Sequence, residues 1–376
     1  MDFNLFTYCT VGNRAELEAG GAGLRPELYS RMLGELAEYV RAADDLGYAG
    51  FGHPEHHLQV EGFEPSNEPT LTGMFIGQHS QRLRVISCGF VSTTHNPLRT
   101  AESIATMDHM LGGRFGVGLV RGYQARWVNC YKVKPELAPV GPWNRNSDED
   151  DLNREHFSEF VEIVLAALRN ETFSYQGKFW QFPPPNLINP HDAPVYREYG
   201  RGVDDDMRIR EVGICPRPLQ TPHPPLYAGF THSLRTAVFW AKYRGKPIVL
   251  SSNFDFCETL WRTYHEEALK HGQEIEPGDE AAWGGALICA PTDAQAQELA
   301  EDVLWYWDSW FTPFGQGRPE LLFGSPDTLS RRIEEASSHF PIKECFLLIP
   351  QGIHNRDQLL QSLDLFGSKV IPRFAN

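Results

Sequence analysis

The 376-residue sequence predicts an α/β fold, a (β/α)8 or TIM barrel with an insertion between its fourth and fifth strands. Three observations carry this prediction. Short apolar runs alternate with amphipathic stretches of helical spacing, the arrangement that gives right-handed βαβ units and a parallel sheet. The alternation occurs eight times, which over this length fits a closed barrel better than a doubly wound open sheet. Its single long interruption, about residues 124–224, is followed by the same alternation in the same style. It therefore reads as an insertion into one domain of residues 1–376 rather than a domain boundary.

Phe3 to Tyr8 is an apolar run suited to a first buried strand. After the glycines at 20, 21 and 23, Pro26 stands where a first helical residue loses nothing by lacking an N–H, and opens a helix to about Leu46. Leu28, Met32, Leu36, Tyr39, Val40 and Ala43 recur at three- and four-residue spacing, so one face is buried. Gly47 closes the helix. The second strand is Tyr48 to His53, ended by Pro54, which cannot donate to a sheet ladder. A helix over roughly Pro69 to Gln81, a strand from Leu83 to Val91, a helix from Pro97 to about Leu111 and a strand from Phe115 to Arg121 follow.

The insertion begins with an irregular stretch and holds an amphipathic helix, Leu152 to Arg169. Phe173-x-Tyr175-x-Gly177-x-x-Trp180 alternates around a glycine, as a small hairpin does. The fifth strand is Pro225 to Gly229, with a helix from Ser233 to Tyr243. The sixth is Pro247 to Ser251, with a helix from Phe256 to His271. The seventh is Trp283 to Ala290, with a long helix from Thr292 to Phe311 that opens on the capping-box pattern Thr292-x-x-Gln295. The eighth is Lys343 to Ile349, and the last helix covers Arg356 to Phe366.

Composition narrows the function. Hydrophobic residues make up 41% and aromatics 12%, enough for a sizeable core. A formal charge of −15 counts against non-specific nucleic-acid or anionic-membrane binding, which need a basic surface. The seven cysteines are scattered without a CxxC pair, so a disulfide framework and a zinc knuckle are not expected, and free thiols suit the cytoplasm. The N-terminus lacks a basic segment followed by an apolar run, and no span approaches about 18 apolar residues; neither a signal peptide nor a membrane helix is expected.

In a parallel barrel the chemistry sits where strands end. There the sequence offers Glu55, His56 and His57 after the second strand, Ser92 to Pro97 after the third, Arg121-Gly122-Tyr123 after the fourth and Thr231-His232-Ser233 after the fifth. Adjacent His56 and His57 point to opposite faces of a regular strand, and no acidic or thiolate companion stands at a zinc spacing. Structural hydrogen bonding, acid–base chemistry and contact with an organic cofactor stay open for them. Thr231, His232 and Ser233 open a helix, where N–H groups and hydroxyls can cradle an anion or simply cap. A guanidinium such as Arg121 at the same rim would complete a phosphate clamp. The run Leu304 to Phe311 holds Trp305, Tyr306, Trp307, Trp310 and Phe311, a face for burial or a wall for substrate. Asp204-Asp205-Asp206 lacks calcium-loop spacing and reads as a solvated turn.

These residues resemble the bacterial luciferase-like family of flavin-dependent monooxygenases, above all the luciferase α subunit type. The resemblance runs through Glu55-His56-His57, His95-Asn96-Pro97-Leu98-Arg99-Thr100-Ala101-Glu102, Asp108, Gly113-Arg114-Phe115 and Gly118-x-x-Arg121-Gly122. It continues in Trp305-Tyr306-x-Asp308-Ser309, Gly324-Ser325-Pro326 and Phe366-Gly367-Ser368-x-Val370-Ile371-Pro372. It implies a two-component enzyme: reduced FMN from a separate flavin reductase reacts with O2, and a flavin C4a-(hydro)peroxide oxygenates a small organic substrate. His56 then handles the hydroperoxide with Glu55 and His57 as supports, and Arg121 grips the flavin phosphate with Thr231, His232 and Ser233 nearby. Cys88-Gly89 falls where the family often has a non-prolyl cis peptide beneath the isoalloxazine. The expected assembly is a homodimer or higher homo-oligomer.

Two departures limit the resemblance. Val120 replaces a reactive cysteine, and Thr312 to Phe323 is far shorter than the long mobile loop of the luciferases. Both count against light emission; the Pro-rich segment Asp192 to Pro224 is an alternative cover. Two other functions fit the same fold: an oxidoreductase using the deazaflavin F420, and a non-catalytic flavin-binding partner subunit.

Overall fold

The computed structural model describes residues 1–188 and 193–374. The chain runs β1 (Asp2–Phe6), α1 (Arg14–Glu18), α2 (Pro26–Asp45), β2 (Gly50–His53), α3 (Pro69–Gln78), β3 (Arg84–Val91), α4 (Pro97–Met110) and β4 (Phe115–Val120). The insertion holds α5 (Ala125–Tyr131), α6 (Asp148–Arg169), β5 (Tyr175–Gln176), β6 (Gln181–Phe182) and α7 (Ala193–Tyr199). Then come β7 (Leu226–Ala228), α8 (Leu234–Ala241), β8 (Lys246–Val249), α9 (Phe254–Lys270), β9 (Ala282–Cys289) and α10 (Asp293–Tyr306). The chain ends with β10 (Glu320–Gly324), α11 (Pro326–His339), β11 (Glu344–Leu348), α12 (Arg356–Lys369) and α13 (Ile371–Phe374).

Eight parallel strands close into a ring in the order β1-β2-β3-β4-β7-β8-β9-β11, which returns to β1. These are the eight predicted strands, and the fold is the predicted TIM barrel. β2, β9 and β11 are buried along their whole length, as strands covered on both faces must be. The predicted hairpin is the antiparallel pair β5–β6.

The sequence reading overlooks β10 and α11. β8 pairs with only Ala282 and Trp283 of β9, and β10 takes over from Gly285 to Cys289. α11 is anchored back onto this strand. Glu320, nearly fully buried, receives Arg332 through two bonds of 2.7 and 2.9 Å. α1 is likewise new: Asn13 caps it and Glu16 completes the capping box within what reads as loop. β1 stops at Phe6, two residues early, because the Thr7 hydroxyl accepts the Cys9 amide and turns the chain. α10 gives way at Trp307 to a π-helical turn, Trp307–Phe311, ahead of Pro313. Thr292 caps α10 as predicted, but Gln295 reaches the Thr292 hydroxyl.

The chain forms two compact units. The first comprises Met1–Gly89, Gly116–Gly118 and the chain from Pro225; the second comprises Phe90–Phe115 and Leu119–Pro224. In the first, the strands' N-terminal ends share one carboxylate: Glu344 accepts from Asn4 and Tyr227 at 3.1 Å each and from Lys246. Four strands are thereby tied together inside the barrel. In the second, α6 packs on α4, and Lys134 lies over the Trp180 ring beside buried His156. Of the seven cysteines, Cys9, Cys88, Cys257, Cys289 and Cys345 are buried, while Cys130 and Cys215 are exposed. Burial pushes the thiols of Cys9, Cys88, Cys257 and Cys289 up to about 12. No helix among the described residues is long and apolar enough to cross a membrane.

Candidate active site

Pro54 ends β2 at His53 and turns the chain into a loop that folds back on itself. The His56 amide donates to Ser66 O at 2.8 Å, and the Ser66 hydroxyl donates to Pro54 O at 2.8 Å. The loop after β1 holds the far side: Val11 N donates to Gly62 O and the Thr10 hydroxyl donates to Phe63 O. Gly62 is required there, since its φ is +98° and a Cβ would come within 2.7 Å of Val11 O.

The predicted trio divides between two carboxylates. His57 Nε2 donates to Glu55 Oε1 at 2.7 Å. His56 instead turns Nδ1 toward Glu64 Oε1, 3.3 Å away. Glu55 and Glu64 are both buried, and burial pushes the His56 pKa down to about 3 against the attraction of Glu55. His56 is therefore a neutral imidazole near pH 7. Glu64 also accepts the indole N–H of Trp310 at 2.7 Å on Oε2. Trp310 stacks on Phe63 at 4.7 Å and 9°, and Tyr306 donates to Phe63 O at 2.8 Å. The aromatic run follows the burial reading, with Trp307 and Phe311 in the core and the polar tips of Tyr306 and Trp310 fixing this loop.

Arg121 leaves β4 in the second unit and meets Asp150 at 2.5 Å. Asp150 also accepts from Arg154 and from the Asn146 amide. Burial alone would raise the Asp150 pKa, but Arg121 and that amide outweigh it and hold the carboxylate at about 2. In the first unit Ser233 is the N-cap of α8, accepting from Thr236 N at 3.3 Å. Thr231 is buried and donates to Gly229 O at 3.4 Å, while His232 is exposed. The Cys88–Gly89 peptide is cis, where the sequence reading expects it. A Cβ on Gly89 would lie 2.2 Å from Gly118 O, so the two strands approach too closely for any other residue. Cys88 is a buried thiol, not a thiolate. Among the described residues no three His, Cys, Asp or Glu side chains are grouped to hold a metal.

Known proteins share this sequence pattern. The profile of the luciferase-like monooxygenases matches residues 1–337. The chain belongs to that family. This luciferase-like monooxygenase is 22% identical over 382 residues to the alkanal monooxygenase alpha chain of the Kryptophanaron alfredi symbiont, covering 91% of the chain and 92% of the relative. It is 28% identical to an uncharacterised protein of Sinorhizobium fredii over 166 residues, 44% of each chain. The FMN complex of the oxygenating constituent of 3,6-diketocamphane monooxygenase from Pseudomonas putida superposes with a TM-score of 0.73 at 17% identity, covering 99% and 98% of the chains.

Two residues of the luciferase-like monooxygenase's candidate site escape the sequence reading. Glu64 lies in an irregular Gly- and Pro-bounded loop with no periodicity to assign its direction. Trp310 is visible only as one of several aromatics in a run. The signal available was the pairing rule that a buried imidazole needs a partner.

Proposed function

We propose that the protein is a two-component monooxygenase that takes reduced FMN from a separate flavin reductase and uses O2 to oxygenate a small organic substrate. The observation that carries this reading is a partly buried, neutral His56, its Nδ1 3.3 Å from buried Glu64, just past the C-terminal end of a barrel strand, where such barrels do their chemistry. Reduced FMN, when bound, supplies the electron pair that lets one oxygen atom enter substrate while the other leaves as water. His56 accepts and returns a proton at a ring nitrogen, with Glu55 and His57 as supports. Arg121, whose guanidinium is held by the buried Asp150 carboxylate, would take the flavin phosphate. Cys88 and Gly89, joined by the cis peptide, would border the flavin ring. We place the enzyme in the cytoplasm as a homodimer or higher homo-oligomer.

The test is anaerobic titration with reduced FMN and with reduced F420, followed by mixing with oxygenated buffer. Binding of reduced FMN, with flavin reoxidation altered at least about tenfold in His56→Ala, is the expected result. Binding of F420 alone, or identical reoxidation in both proteins, overturns the reading.

A further inference from the structure

We propose that Asn153 and His156, three residues apart on α6, form a buried binding site for a single water molecule that fastens the insertion together. The site lies within the second unit and does not depend on the flavin chemistry proposed above.

The hydrogen on His156 is placed by its neighbour. The Trp180 indole, from the hairpin, donates to His156 Nε2 at 3.3 Å. An indole N–H can only donate, so Nε2 accepts and carries no hydrogen. Burial, with Lys134 adding to it, pushes the His156 pKa down to about 4. The ring is therefore neutral near pH 7, and its one hydrogen sits on Nδ1. Asn153 is oriented in the same way. Its amide NH2 donates to the Ala138 carbonyl, which can only accept, so the remaining terminal atom is the acceptor Oδ1.

Two groups are left over. His156 Nδ1–H and Asn153 Oδ1 belong to fully buried side chains, and neither has a hydrogen-bond partner within the protein. One is a donor and the other an acceptor, on residues whose spacing makes them neighbours on a helix surface. They do not bond to each other, so a third group joins them. A water accepts from Nδ1–H and donates to Oδ1, and ordering it costs less than leaving both groups buried and unpaired. An organic ligand has no access to side chains so enclosed. The water completes a clamp on three segments. Asn153 holds the chain at Ala138, ahead of α6, and His156 holds the hairpin through Trp180, whose ring carries the Lys134 ammonium at 4.1 Å. One turn earlier on α6, Asp150 holds Arg121.

The test is a crystal structure of the full chain at a resolution that places ordered water. A peak about 2.7–3.2 Å from both His156 Nδ1 and Asn153 Oδ1 is expected, and it should be lost in His156→Phe. Imidazole nitrogen NMR of the wild-type protein gives a second reading in solution. Hydrogen on His156 Nδ1, with magnetisation passing between that hydrogen and water, is the expected result. A wild-type map without the peak, a peak that touches only one of the two atoms, a direct bond between Asn153 and His156, or hydrogen on Nε2 overturns the inference. Each of these is read on wild type, so the outcome stands even where His156→Phe fails to fold.

Discussion

His53 is the residue on which acid stability turns. It is fully buried, with Nε2 3.0 Å from the Ser87 hydroxyl and Nδ1 near Pro54 O and the Ser66 hydroxyl. Burial pushes its pKa down to about 4 from an ordinary 6.5. The folded protein thus keeps His53 neutral where the unfolded chain has already taken up a proton. Its contribution is complete above pH 6.5, falls as the pH drops toward 4, and levels off below that. Between pH 7 and pH 5 the loss is about 2 kcal/mol. Urea midpoints of wild type and His53→Gln at both values should show the variant losing about that much less. The sequence told only that a histidine ended a strand. Its enclosure by Ser66 and Ser87, 13 and 34 residues away, is a tertiary fact without a local signature.

The segment between β9 and β11 shows what pattern reading can and cannot recover. The eight ring strands are apolar runs beside amphipathic helices, so their periodicity speaks for itself. β10 has only five residues, is flanked by Pro319 and Ser325-Pro326, and does not take a place of its own in the ring. It borrows an edge of β9 that β8 leaves uncovered, an opportunity created by register rather than by residue type. α11 was more legible, with Ser325 as its cap and Leu329, Ile333 and Ala336 on one face. Because Glu320 is buried and met by the Arg332 fork, Arg332→Ala should destabilise the protein by about 2 kcal/mol, reduced from the fully buried case because Arg332 is partly exposed. Chemical unfolding would report it, and Glu320→Gln in the same background should recover part of the loss.

At the scale of the whole molecule, the candidate site and the buried charge network lie at opposite ends of the strands. Glu344, Lys246, Arg84 and Tyr227 gather at the N-terminal ends, where buried charges are mutually paired, while the paired histidines follow the C-terminal end of β2. The sequence pointed to Glu55 beside the histidines, but Glu64 and Glu344 have no local pattern that marks them. The disposition of sulfur has a practical side for an enzyme that handles oxygen. Five thiols sit inside the protein, and only Cys130 and Cys215, both in the second unit, reach solvent. A maleimide dye should therefore attach at two positions in the native protein and at seven once it is denatured, as intact mass would count. Cys130→Ser and Cys215→Ser together should leave the native protein dark. Either one alone gives a single-site label, ready for fluorescence or cross-linking without further removal of cysteine.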